Sequence, residues 1–171
     1  MSIDLELFDA AIQYLASDNV ELGLMLLENG AVGTPEAVTA EVEKRYGETL
    51  RFVNRYAKDE EGNKLPNIEW WELVGLQRLD LSGNHLTSIP DLGGLANLQE
   101  LDLSNNQLTS IPDLAGLSNL KWLNFRNNQL TSIPNLGELA NLQKLNLDYN
   151  KLTSIQKQAV KAALPNCEIV I

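Results

Sequence analysis

From residue 76 onward the chain repeats itself every 22 residues. Four segments align without a gap: LQRLDLSGNHLTSIPDLGGLAN from Leu76, LQELDLSNNQLTSIPDLAGLSN from Leu98, LKWLNFRNNQLTSIPNLGELAN from Leu120 and LQKLNLDYNKLTSIQKQAVKAA from Leu142. The first two agree at 17 of 22 positions. A unit this short cannot bury an apolar face alone. Stacking copies buries one continuous core, so the period dictates a solenoid in which each unit leans on its neighbours.

Within a unit, Leu79-Asp80-Leu81 and its copies alternate, which sends the leucines to one face and the residue between them to the other. Stacked copies then form a parallel sheet with strands ~4.8 Å apart. Asn84, Asn106, Asn128 and Asn150 recur where the chain leaves the strand. An inward asparagine there can satisfy backbone groups of neighbouring turns, because its amide both donates and accepts. Ile89, Ile111, Ile133 and Ile155 read as core on the return side. Pro90, Pro112 and Pro134 fix φ and disfavour a long helix, so short turns or single 3₁₀ turns are expected there.

The pattern L-x-x-L-x-L-x-x-N-x-L resembles the leucine-rich repeat signature, in the 22-residue class of bacterial internalins. The resemblance covers residues 67–171. It implies an α/β solenoid with parallel strands on the concave face and short turns on the convex face, used as a binding surface for other macromolecules.

The fourth unit drops the proline. Ser154 reads as an N-cap, and Gln156 to Ala163 as a helix that stops before Pro165. A fifth start at Leu164 keeps the 22-residue spacing, which puts Cys167 in a core leucine position as a buried, inert thiol. An edge strand Cys167–Ile171 follows.

Solenoids need capped ends, and residues 1–66 supply a candidate helical cap to a repeat domain over residues 67–171. A first helix from Ile3 to Ala16 puts Leu5, Phe8, Ile12 and Leu15 on one stripe. Asp18 or Asn19 caps a second helix that runs through Leu27 and stops near Asn29-Gly30. Thr34-Pro35 opens a third, with Val38, Val42, Tyr46, Leu50 and Val53 at helical spacing and Gly47 able to kink or split it. Asp59 to Pro66 reads as a charged loop. Trp70, Leu73 and Leu76 align with Leu92, Leu95 and Leu98, which places Trp70 in the seam between helices and solenoid and sends Trp71 elsewhere, toward the helices.

Charge limits the partners. The net charge is −10. Residues 1–75 hold 15 carboxylates against 6 lysines and arginines, and residues 76–171 hold 8 against 7. Neither part offers the basic face that nucleic acid or an anionic membrane requires. The acidic N-terminus lacks a signal-peptide n-region and no stretch nears the ~20 apolar residues of a membrane span. The chain thus reads as cytoplasmic, with export by a leaderless route left open. The single cysteine excludes an intrachain disulfide.

An enzyme is not expected. His85, the only histidine, occupies the variable position filled elsewhere by Gln107, Gln129 and Lys151, a solvated loop site. No catalytic triad, metal-ligand spacing or phosphate loop is visible, and no cofactor is implied. Asp80 and Asp102 would stack about 5 Å apart, the separation of the carboxylate pair in retaining glycosidases, which reads here as coincidence, with a weak cation site as the other reading.

The candidate site is the exposed strand face, in rows across the stack. One row is Arg78, Glu100, Trp122, Lys144 and Asn166. The next is Asp80, Asp102, Asn124, Asn146 and Glu168. The third is Ser82, Ser104, Arg126, Asp148 and Val170, with Asn127 and Tyr149 at its edge. Trp122 is either a hot spot or a cover for its aliphatic neighbours. Five strands give a face of roughly 300 Å², against ~800 Å² per partner in a standard interface. The expected partner is therefore a peptide, or a protein that also engages the loops and acidic helices. In the alternative reading, the acidic segment 1–66 is the active element of a regulator or effector and the repeats are its scaffold. The chain is expected to be a monomer, with self-association through the C-terminal edge strand as the third reading.

Overall fold

The computed structural model describes residues 3–17, 20–28, 30, 32–59 and 61–171. The elements are α1 (Leu5–Leu15), α2 (Val20–Glu28), α3 (Pro35–Tyr56), α4 (Trp70–Val74), β1 (Arg78–Asp80), β2 (Glu100–Asp102), β3 (Trp122–Asn124), β4 (Lys144–Asn146), α5 (Ser154–Ala163) and β5 (Glu168–Val170). The strands form one open parallel sheet in the order β1-β2-β3-β4-β5, one per unit. The molecule is an α/β solenoid with helices at its N-terminal end.

The core follows the repeat. Leu79, Leu101, Leu123 and Leu145 pair in register across β1 to β4 and are almost fully buried. Leu81, Leu103, Phe125 and Leu147 form the second buried column. On the return side Leu92, Leu114 and Leu136 close the core. Each such side chain removes enough apolar surface to contribute ~1.5–3 kcal/mol. The return path is made of turns: Leu95 N–H donates to Leu92 O at 2.9 Å and Leu98 N–H to Leu95 O at 2.9 Å, with the same pair of bonds in the next two units.

The fourth unit departs from the expectation in three ways. Thr153, not Ser154, is the N-cap of α5, in a capping box with Gln156. Ile155 is 79% exposed rather than in the core, because the helix starts there and turns it outward. The fifth strand is shifted. Leu145 pairs with Ile169 and Lys144 with Glu168, a spacing of 24 residues instead of 22. A helix rises only ~1.5 Å per residue, so α5 uses more chain than the turns of the earlier units do. Cys167 therefore lies just before β5, half-buried, not in a core leucine position. Asn166 leaves the first row, Glu168 replaces it, and Val170 moves to the second.

At the other end, α1 is capped by Asp4, whose carboxylate accepts the Leu7 N–H at 3.0 Å. Its buried stripe is Phe8, Ala11 and Leu15. Leu5, expected on that stripe, is 47% exposed. The proposed caps Asp18 and Asn19 and the stop at Asn29 lie outside the described residues. α3 starts at the Thr34 cap with Pro35 in its first turn and runs unbroken through Gly47, so that glycine neither kinks nor splits it. α1 is tied to α3 by Arg45, which bonds Asp9 at 2.6 Å and Glu41 at 2.6 Å and lies over the Phe8 ring.

The cap meets the array along α3 and α4. Tyr46 stacks on Trp70 with ring centroids 6.3 Å apart, and Trp71 sets its ring edge-on to Trp70 at 5.9 Å. The Thr49 hydroxyl donates to Asp91 O at 2.9 Å. The segment after α3 is more than a loop. Lys58 N–H donates to Asp80 O and Leu65 N–H to Ala57 O, both at 2.9 Å, so a short antiparallel stretch covers the outer edge of β1. That matters because an open edge invites pairing with other chains. Among the described residues, no helix is long and apolar enough to cross a membrane.

Candidate partner-binding face

The sheet face displays rows of side chains at fixed positions of the repeat. In the first row Arg78 pairs with Glu100 (3.4 Å) and Lys144 with Glu168 (3.2 Å). Trp122 sits between the two ion pairs, half-buried, in a shallow groove bordered by Gln99, Lys121 and Gln143. Exposed ion pairs contribute little to stability. Here they fill both ends of the row and leave an indole at its centre.

The second row is occupied with its own backbone. Asp80 accepts the Ser82 N–H at 2.8 Å, Asp102 the Ser104 N–H at 2.8 Å, Asn124 the Arg126 N–H at 3.1 Å and Asn146 the Asp148 N–H at 3.0 Å. Asn124 also donates to the free oxygen of Asp102 at 3.1 Å. These four side chains shape the turn that follows each strand. Their recurrence thus has a structural cause independent of any ligand.

In the third row Ser104 is buried while Arg126 is exposed. The Arg126 guanidinium lies 5.2 Å from the centroid of the Tyr149 ring. Tyr149 is 65% exposed. Its backbone has φ 54°, in the left-handed region, and the same repeat position has φ 62° at Gly83, 55° at Asn105 and 56° at Asn127. Glycine and asparagine tolerate this region and a bulky aromatic does not. His85 is also left-handed, at φ 57°, and exposed.

Behind the face runs the asparagine column. Asn106 accepts N–H groups of Asn84 (3.1 Å) and Leu86 (2.9 Å) and donates to Leu81 O (2.9 Å) and Leu103 O (3.1 Å). Asn128 and Asn150 repeat the bond to the preceding unit, at Leu103 O and Phe125 O, both 2.9 Å. A second column was not anticipated from the sequence. Asn97, Asn119 and Asn141 donate to Val74 O (3.1 Å), Ala96 O (2.9 Å) and Ser118 O (2.8 Å). Its signal was present, since each is the last residue of its 22-residue unit. The Cys167 thiol is pushed up by burial and by the Glu168 carboxylate, the opposite of an activated nucleophile.

Residues 74–116 match a model of leucine-rich repeats in two copies, and residues 96–152 match a second leucine-rich repeat model. The array is a run of leucine-rich repeats. A leucine-rich repeat protein of Leptospira interrogans is 42% identical over 57% of this chain, with TM-score 0.56. An internalin of Listeria monocytogenes is 26% identical over 76% of it, with TM-score 0.51. The Listeria protein InlP is 41% identical over 62%, with TM-score 0.50. The chain spans 26%, 38% and 28% of those three chains, respectively. No curated protein matches it. The leucine-rich repeat array resembles internalins in its fold.

Proposed function

We propose that this chain is a non-enzymatic interaction module that binds a protein or peptide across the concave face of its leucine-rich repeats. The observation that carries this is the placement of Trp122. Its indole lies at the centre of the face, between two ion pairs, with Arg126 and Tyr149 on the same side of the sheet. Trp, Tyr and Arg are the residue types on which binding energy concentrates. The second-row carboxylates and amides, being engaged with backbone, serve as the frame.

One observation favours a second reading. No lysine or arginine precedes Lys44, and α1 and α2 expose Leu5, Tyr14, Val20 and Met25 among their carboxylates. The acidic helices could then be the active element and the repeats their scaffold.

A pulldown from the source organism's lysate separates the two, using wild type beside Trp122→Ala and Arg126→Ala, with partners identified by mass spectrometry. The face reading expects a partner held by wild type and weakened by ~2 kcal/mol or more in Trp122→Ala, with unchanged melting. A partner held equally by all three proteins defeats it and moves the interaction to the helices.

A further inference from the structure

We infer that the ligand of the concave face carries a carboxylate that docks on Arg126, over a basic half of the array; this rests on the face being the binding surface. The array is electrically divided. On or beside the face, the first two repeats present Asp80, Glu100 and Asp102 with Arg78, whereas the last two present Lys121, Arg126, Lys144 and Lys151 with Asp148 and, on β5, Glu168. A segment crossing this face meets an acidic half and then a basic one, and it is oriented by that gradient.

Within the basic half most cations on or beside the face are occupied. Lys144 pairs with Glu168 at 3.2 Å. Lys121 donates to the Gln99 side chain at 2.8 Å and Lys151 to that of Gln129 at 3.2 Å. Arg126 differs. It is exposed, and among the described residues its guanidinium makes a ring contact with Tyr149 and no side-chain hydrogen bond or ion pair. Asp148 holds the same position in the next repeat, yet among the described residues the two form no ion pair. A guanidinium held over an aromatic ring keeps an edge of N–H groups for a further partner. That edge matches a carboxylate in two parallel hydrogen bonds.

Tyr149 supplies an independent observation. Its backbone occupies a left-handed position where the three preceding repeats carry glycine or asparagine. The ring is 65% exposed, so burial does not offset the strain. What the ring does is hold Arg126. Strain kept at one exposed site without gain in packing is a mark of recognition.

The test is a selection of random peptides displayed on phage against the full chain, run with wild type, Arg126→Gln, Arg126→Glu, Tyr149→Asn and Trp122→Ala. Melting curves establish that each variant is folded. The inference expects wild-type peptides to share an Asp or Glu at one position and to bind Arg126→Gln at least tenfold more weakly. It also expects Arg126→Glu to select Lys or Arg at that position, and Tyr149→Asn to weaken the wild-type peptides. Peptides without a shared carboxylate that are nonetheless lost on Trp122→Ala overturn the inference and leave the face as the binding surface. Peptides that bind every variant equally, or a selection yielding nothing above background, overturn both.

Discussion

The side-chain amide of Asn84 donates to the carbonyl of Tyr56 at 2.9 Å, so the first rung of the asparagine ladder is anchored on the last residue of α3. In later repeats the corresponding bond goes to Leu81, Leu103 and Phe125 of the preceding repeat. Tyr56 thus stands where a further repeat would have supplied its carbonyl. The second column does the same: Asn97 reaches Val74 and also Ala16, at 3.1 Å each. The helical cap continues the hydrogen-bond pattern of the array without repeating its sequence.

The ladder makes Asn106 the more costly rung to remove. Asn106→Ala removes the one acceptor shared by the Asn84 and Leu86 N–H groups, while Leu81 O and Leu103 O keep their bonds from Asn84 and Asn128, and it is expected to destabilise by ~1–3 kcal/mol. Asn84→Ala loses only its bonds to Tyr56 O and Leu81 O, at a half-buried site, and should cost less. Urea denaturation of both variants checks the order, and equal or reversed midpoints would remove the ladder from the account.

Tyr149→Asn places at the left-handed position the residue that repeats two and three already use. Relief of backbone strain should raise stability by about 1 kcal/mol. The exposed ring has little packing to lose. Equilibrium unfolding measures this directly, and a lower midpoint would mean that the Arg126 contact outweighs the strain.

Helices α1 and α2 touch through Gly23. A Cβ added there would lie 2.7 Å from Leu15 Cγ and 2.8 Å from the carbonyl oxygen of Ala11. Because the second contact is backbone, Gly23→Ala should push the helices apart and cost about 1–3 kcal/mol. Hydrogen exchange should show the loss in α1 and α2, with the central strands unchanged. Faster exchange spread evenly over β2 and β3 would contradict a local effect.

Two carboxylates tie stability to pH. Asp59 is held below its ordinary value of 3.8, chiefly by the backbone N–H of Asn63, and Glu41 below 4.5, chiefly by its hydrogen bond from Arg45. A depressed folded value means the charged form is favoured in the fold. The stabilisation is complete above the ordinary values and fades as pH falls through the lower folded ones. Asp59→Asn and Glu41→Gln should therefore melt below wild type at neutral pH and converge with it as the pH falls below the ordinary carboxylate values. A gap that stays constant over that range would show that charge is not its source.

Much of this molecule was legible because the repeat writes its own environment. Leu79, Leu101, Leu123 and Leu145 recur at a fixed distance, and a fixed distance in a solenoid is a fixed depth. The rows through Trp122 and Arg126 could be placed in the same way for four strands. Periodicity loses its hold at Ile155 and Cys167, because α5 replaces the turns of the earlier repeats and consumes two more residues before β5.

The sequence by itself determined the period, the buried leucine columns, the register of β1 to β4 and the acidic character of the helical end. These depend on spacing and composition, which are local. Only the tertiary structure decided that Tyr56 and Val74 complete the two asparagine columns, that Lys58 covers the edge of β1, that the second-row carboxylates serve their own turns, and that Arg126 rests on Tyr149 rather than on Asp148. Each of those is a choice among partners distant in the chain or competing in space, and no periodicity along the chain encodes it.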